Sequence, residues 1–158
     1  MKKARLFLLA FLLLLSMTGL ATAQLVYNPA TGMSYETIPV YNNSGGTLDA
    51  GDVVVWDIAS STGDNDAYVT TTTTADTDLV AGVIWPSSIA AASSGTMAIL
   101  GLVECDLGAQ GVASGGPLCT SGTAGGGDMC TSANLSATYA IANTVGATGS
   151  QVSCVLVH

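Results

Sequence analysis

Leu48-Asp49-Ala50-Gly51-Asp52-Val53-Val54-Val55-Trp56-Asp57 is the stretch on which the reading of this chain turns. A polar, glycine-containing turn runs directly into three valines and a tryptophan, then stops on an aspartate. β-Branched and aromatic side chains suit a pleated strand. Asp and Gly on either side are turn residues. Apolar side chains at successive rather than alternate positions predict a strand that is apolar on both faces.

The same alternation of short β-prone runs and Gly, Ser, Asn or Asp turns continues in both directions. Upstream, Thr37–Asn42 reads as a first strand, with Pro39 restricting it to an edge or a strand start. Downstream, strands are expected over residues 67–74, 79–85, 96–105, 117–120, 128–131, 138–143 and 151–157. With the stretch at 52–57 that makes about nine short strands. No amphipathic helical period occurs beyond the N-terminus. The expected fold class is all-β.

The opening stretch has an internal echo. Leu48 to Val55 lines up with Val112-Ala113-Ser114-Gly115-Gly116-Pro117-Leu118-Cys119, and Ala91 to Leu100 with Thr144 to Val155. A repeat of about 60 residues makes two halves of one small β-barrel or sandwich.

At the N-terminus, Met1-Lys2-Lys3-Ala4-Arg5 is a short basic region, Leu6–Leu15 an apolar run, and Ala21-Thr22-Ala23 a small-residue cleavage pattern. That is a secretory signal peptide over residues 1–23. The apolar run is shorter than the ~20 residues of a membrane span. Residues 24–36 follow as an extended arm, and residues 37–158 as a single β domain.

Removing 23 of 158 residues leaves 135. All three basic residues leave with them and all eleven acids remain, so the formal charge goes from −8 to −11. Nucleic-acid binding needs Lys and Arg at phosphates, and anionic membrane surfaces need them too. Both are excluded as partners of the mature chain, which is expected outside the cell or at the cell surface.

Four cysteines in an exported chain read as two disulfides. Cys119 and Cys130 lie symmetrically about the Thr123-Ala124-Gly125-Gly126 turn, and Cys105 and Cys154 lie in the closing strands of the two halves. Cys119–Cys130 with Cys105–Cys154 is therefore favoured. Cys105–Cys119 with Cys130–Cys154 stays open, as does pairing between chains.

Catalytic groups are scarce. His158 is the single histidine and the last residue, so a Ser or Cys nucleophile has no usual base. Glu36 and Glu104 are the only glutamates; Glu104 ends an apolar strand, where burial would raise its pKa. Carboxylate-based glycoside hydrolysis is the one enzymatic alternative, and the non-enzymatic reading is preferred. No cofactor is expected, except calcium. The calcium candidate is Asp64-Asn65-Asp66, with Asp57, Asp76 and Asp78 nearby; it lacks the EF-hand pattern. Thr70–Thr74 reads as a half-exposed strand. Trp56 and Trp85 read as core residues or a sugar-stacking platform. Asn42-Asn43-Ser44 and Asn134-Leu135-Ser136 match the glycosylation sequon.

Asn42 to Asp57, Asp78 to Ile84 (DLVAGVI) and Thr96–Gly101 (TMAILG) together resemble the phage capsid decoration, or cement, and head-fibre-like proteins. Val112 to Gly127 resembles their second AxGDPLxTSxTAG element, with Gly116 in place of the usual aspartate. The likeness spans roughly residues 37–157. It implies a small β-barrel or β-tulip domain without enzymatic activity that binds protein subunits and reinforces an assembly. The export signal and the cysteines carry such a domain outside the cell. The expected function is a secreted, disulfide-stabilised structural protein that self-assembles into a filament, surface layer or matrix, or decorates a larger assembly. An extracellular glycan- or calcium-binding module is the alternative.

Overall fold

The computed structural model describes residues 24–28, 32–59, 67–131 and 135–157. They form ten strands: β1 (Gln24–Asn28), β2 (Met33–Asn42), β3 (Val53–Trp56), β4 (Tyr68–Thr70), β5 (Val80–Ile84), β6 (Ser94–Asp106), β7 (Pro117–Thr120), β8 (Gly127–Met129), β9 (Ala140–Ala142) and β10 (Gln151–Leu156). One turn of 3-10 helix, Leu135–Ala137, is the only helical element among the described residues. The chain is all-β.

The strands join in the order β1-β2-β4-β3-β5-β6-β10-β9-β7-β8, and β2 also pairs with β6. That extra pairing closes a ring of β2, β4, β3, β5 and β6. In it β2 and β4 run parallel, through Tyr41↔Tyr68 and Asn42↔Val69, and every other contact is antiparallel. The second half repeats the arrangement. β10, β9, β7 and β8 follow from β6, and a parallel bridge Leu107↔Gly127 brings β8 back to the end of β6. β6 is long because both halves use it: residues 94–101 pair with β2, and residues 101–106 with β10. At the changeover Gly101 has φ +102°, and a Cβ there would run into the Ser34–Tyr35 backbone of β2. Only glycine fits that position without strain.

The turn hydrogen bonds repeat as well. Leu48 and Ile89 exchange both backbone bonds, as do Val112 and Gly146. The Gly51 amide donates to the Ile84 carbonyl, and the Ile84 amide to that of Asp52. The Gly115 amide donates to Ala142, and the Ala142 amide to Gly116. The sequence echo between residues 48–55 and 112–119 is thus a repeated turn and strand in three dimensions.

The both-face reading of residues 53–56 holds at neighbouring valines. Val54 packs inside the first ring with Val40, Leu48, Val69, Ala81, Ile84, Ile89 and Met97. Val53 faces the other way, into the larger core shared with the second half, beside Val83, Ala98, Val103, Leu118, Tyr139 and Leu156. Burying a valine on each side is worth roughly 1.5–3 kcal/mol per side chain, so β3 is held between two cores.

Two local expectations change, and the placing of Pro39 is narrowed. Residues 24–36 carry β1 and the start of β2, which pair as a hairpin from Gln24↔Thr37 to Asn28↔Met33. Pairing rather than composition makes this segment a strand. The threonine run leaves the sheet after Thr70, because residues 74–77 are tied instead to the second half. Thr120 Oγ1 donates to the Thr74 carbonyl at 3.0 Å and accepts from the Thr77 amide at 2.9 Å. Pro39 lies inside β2 and takes the edge alternative. It sits between the portion paired with β1 and the portion paired with β4, where its missing N–H costs no ladder bond.

Candidate interaction surface

The residues singled out in the sequence scatter. Asp64, Asn65, Asp66 and His158 lie outside the described residues, as do residues 1–23 and Asn134. Asp57 follows β3 and accepts from Asn43 Nδ2 at 2.7 Å. Asp76 sits across a turn with its amide on the Thr120 carbonyl. Among the described residues no three His, Cys, Asp or Glu side chains come together as a metal-holding group. Glu104 is half-buried on β6, opposite Ser153. Trp56 and Trp85 are half-buried against different cores, Trp56 on the first ring and Trp85 on the shared core, so they form no common platform.

The sequon at Asn42 is corrected by burial. Asn42 is fully buried; its Nδ2 donates to the carbonyls of Gly46, Ile89 and Ala90, and its Oδ1 accepts from Ser44. A fully bonded core amide is not a glycan acceptor in the folded chain.

Both disulfides lie in the second half. Cys105–Cys154 joins β6 to β10 with Cα atoms 6.1 Å apart, and Cys119–Cys130 joins β7 to the residue after β8 at 5.0 Å. Beside the second, Ser121 Oγ donates to Asp128 at 2.7 Å, and Asp128 also accepts from the Gln110 amide. These polar groups brace the β7–β8 turn.

An acidic seam, which the sequence reading did not single out, joins the two halves. Asp49 and Asp52 belong to the first-half turn and Asp106 to the end of β6. Asp52 accepts from the Asp49 amide at 2.7 Å, and the Asp106 amide donates to the Gly51 carbonyl. Gln151 donates to the Ala50 carbonyl at 2.9 Å. Gly51, at φ +107°, would place a Cβ 2.7 Å from the Asp106 carboxylate, so the halves meet there only through glycine. Burial, opposed by the Asp49 backbone bond and reinforced by the Asp106 and Asp49 charges, pushes the Asp52 carboxyl up. Burial also pushes up Asp106, against the hydrogen bond from Gln151 and with the charge of Asp49. The three-residue spacing of Asp49 and Asp52 was visible in the sequence; Asp106 joins them only through the fold.

The accessible apolar surface is more extensive. Residues paired directly across antiparallel strands share a face. Leu25, Glu36 and Leu100 make one row across β1, β2 and β6, and Leu102, Val155, Ile141 and Pro117 another across β6, β10, β9 and β7. The alternate residues Val103, Cys154 and Ala140 are buried, so the second row faces solvent. Leu25 is 73% exposed, Tyr27 65%, Leu100 47% and Val155 39%. Beside Leu100, the end of the first ring opens as a depression of about 480 Å³, lined by Glu36, Ile38, Trp56, Val80, Ala81, Ile99 and Leu100. Exposed apolar side chains that adjoin one another across several strands are one mark of a protein-binding face.

No protein-family model matches the chain, and no curated protein matches it. Among solved structures, the head fibre gp8.5 N base of bacteriophage phi29 is similar, with a TM-score of 0.55 at 11% identity. The match covers 77% of this chain and 94% of that one. At that identity the likeness is one of fold. No helix among the described residues is long and apolar enough to cross a membrane.

Proposed function

We propose that this chain is an exported, non-enzymatic structural protein that associates with copies of itself or coats a larger protein assembly. The observation that carries this reading is the apolar outer surface, reaching from Leu25 through Leu100 and Leu102 to Val155 and Ile141 across both halves. A monomer that needed no partner would gain from polar residues there. The fold likeness to a phage head fibre supports the same reading. The two disulfides support a working place in an oxidising compartment.

Residues 24–158, produced with disulfides intact, are expected to form larger species as concentration rises, seen by light scattering and electron microscopy. A strictly monomeric protein at every concentration, which also fails to join any larger particle in its native secretions, overturns the proposal.

A further inference from the structure

The sheet has two ends. β8 closes one; it is three residues long, carries Asp128, and is covered by the bridge to Leu107. β1 closes the other, and β2 is its strand partner in the sheet. Natural sheets guard such edges with charge, proline or bulges. Gln24-Leu25-Val26-Tyr27-Asn28 has no charged residue and no proline. It pairs with β2 without a register shift, and it displays Leu25 and Tyr27.

We infer that β1 is a pairing edge for β1 of a second copy of this chain, antiparallel about a two-fold axis at Val26, so that one sheet runs through two molecules. The inference rests on the self-association reading above and names its surface.

The chemistry of β1 fits its own copy. With Val26 on the axis, Leu25 of each copy faces Tyr27 of the other on the exposed face, twice over. Aliphatic–aromatic pairs of this kind are favourable across strands. Charge permits the approach at this edge. Beyond residue 5 the chain has no Lys or Arg, so a second copy brings acids. β1 itself has none, and its nearest paired acid is Glu36, opposite Leu25 on β2. Across a β1–β1 pair the two β2 strands are three strand spacings apart, about 14 Å. That exceeds the ~8 Å screening length at physiological salt. Five residues a side is a small contact beside a standard interface, so the pair is expected to depend on concentration.

The test is sedimentation equilibrium on residues 24–158, with circular dichroism and disulfide content confirming that each variant is folded. Leu25→Lys and Tyr27→Glu are each expected to weaken dimerisation about tenfold, since two cross-strand pairs are lost per dimer. An equimolar mixture of the two is expected to recover it. In the mixed dimer the introduced ammonium of one chain faces the introduced carboxylate of the other, and the second cross-strand pair is again Leu25 with Tyr27. Val145→Lys, exposed between β9 and β10 and outside both apolar rows, is expected to leave the dimer unchanged. Wild-type association in the single variants, or no recovery in the mixture, overturns the β1 pairing. If Val155→Lys, on the outer face away from β1, alone abolishes association, the pairing is wrong while self-association stands. A wild-type chain that never associates removes both.

Discussion

Tyr139 and Asn42 show opposite ways of burying a polar group. The Tyr139 phenol is buried, and its oxygen has no hydrogen-bond partner among the described residues. Burial, with the charges of Asp128 and Asp106, holds it protonated far above the ordinary tyrosine range. An unsatisfied buried hydroxyl costs about 1–3 kcal/mol. Tyr139→Phe keeps the ring and removes that cost, so urea denaturation is expected to show a gain of about 1 kcal/mol. Asn42 uses its whole amide to tie the end of β2 to the turns at Gly46 and at Ile89–Ala90. Asn42→Ala removes all three of these bonds and the acceptor for Ser44 and leaves a gap, with an expected loss of about 3 kcal/mol. An unchanged urea midpoint in Asn42→Ala would show that these bonds contribute nothing net.

Among elements, the second half is cross-linked and the first relies on packing. First-half strands bury valine on two sides, through Val53 in one core and Val54 in the other. The second half has shorter runs, such as Gly127–Met129 and Ala140–Ala142, and it is there that both disulfides sit. Cys105–Cys154 spans 49 residues and Cys119–Cys130 spans 11. In the chain-entropy description the longer link is worth about 4 kcal/mol and the shorter about 3. Replacing each pair by alanine should therefore cost more stability at Cys105–Cys154. Equal losses in calorimetry, or a reversed order, would mean that native packing rather than loop closure sets the effect.

For the molecule as a whole, charge sets the behaviour. Asp52 and Asp106 have carboxyls raised above the ordinary value of 3.8 at the seam between the halves. A raised acid binds its proton more tightly folded than unfolded, so its charge opposes folding above the folded pKa. That opposition is relieved as pH falls through the folded value, and it is gone below 3.8. Thermal stability is therefore expected to rise as the solution is acidified toward that value, and to rise less in Asp52→Asn. A curve for Asp52→Asn that parallels wild type would place the effect elsewhere. The missing cations have a second consequence: trypsin, which cuts after Lys and Arg, should leave residues 24–158 whole even in urea. Fragments in a mass spectrum would contradict that.

Much of this was readable from residues alone. Valine at 53, 54 and 55 called for burial on both faces, and the turn chemistry of Asp49-Ala50-Gly51-Asp52 recurred at Ala113-Ser114-Gly115-Gly116, so class and repeat were local properties. Composition likewise determined the anionic character, since it needs no coordinates. Other features depend on register, which pairs residues far apart in the chain. β1 is a strand because Met33–Thr37 lies beside it, and Thr71–Thr74 is not one because Thr120 ties residues 74–77 elsewhere. Asp106 reached Asp49 and Asp52 only when β6 was laid against the turn. The apolar rows are sequence-distant residues on one face, Leu25 with Leu100 and Leu102 with Val155 and Ile141. Sequence alone determined which residues are apolar; only the tertiary structure decided which of them stay outside, because burial is settled by what packs opposite.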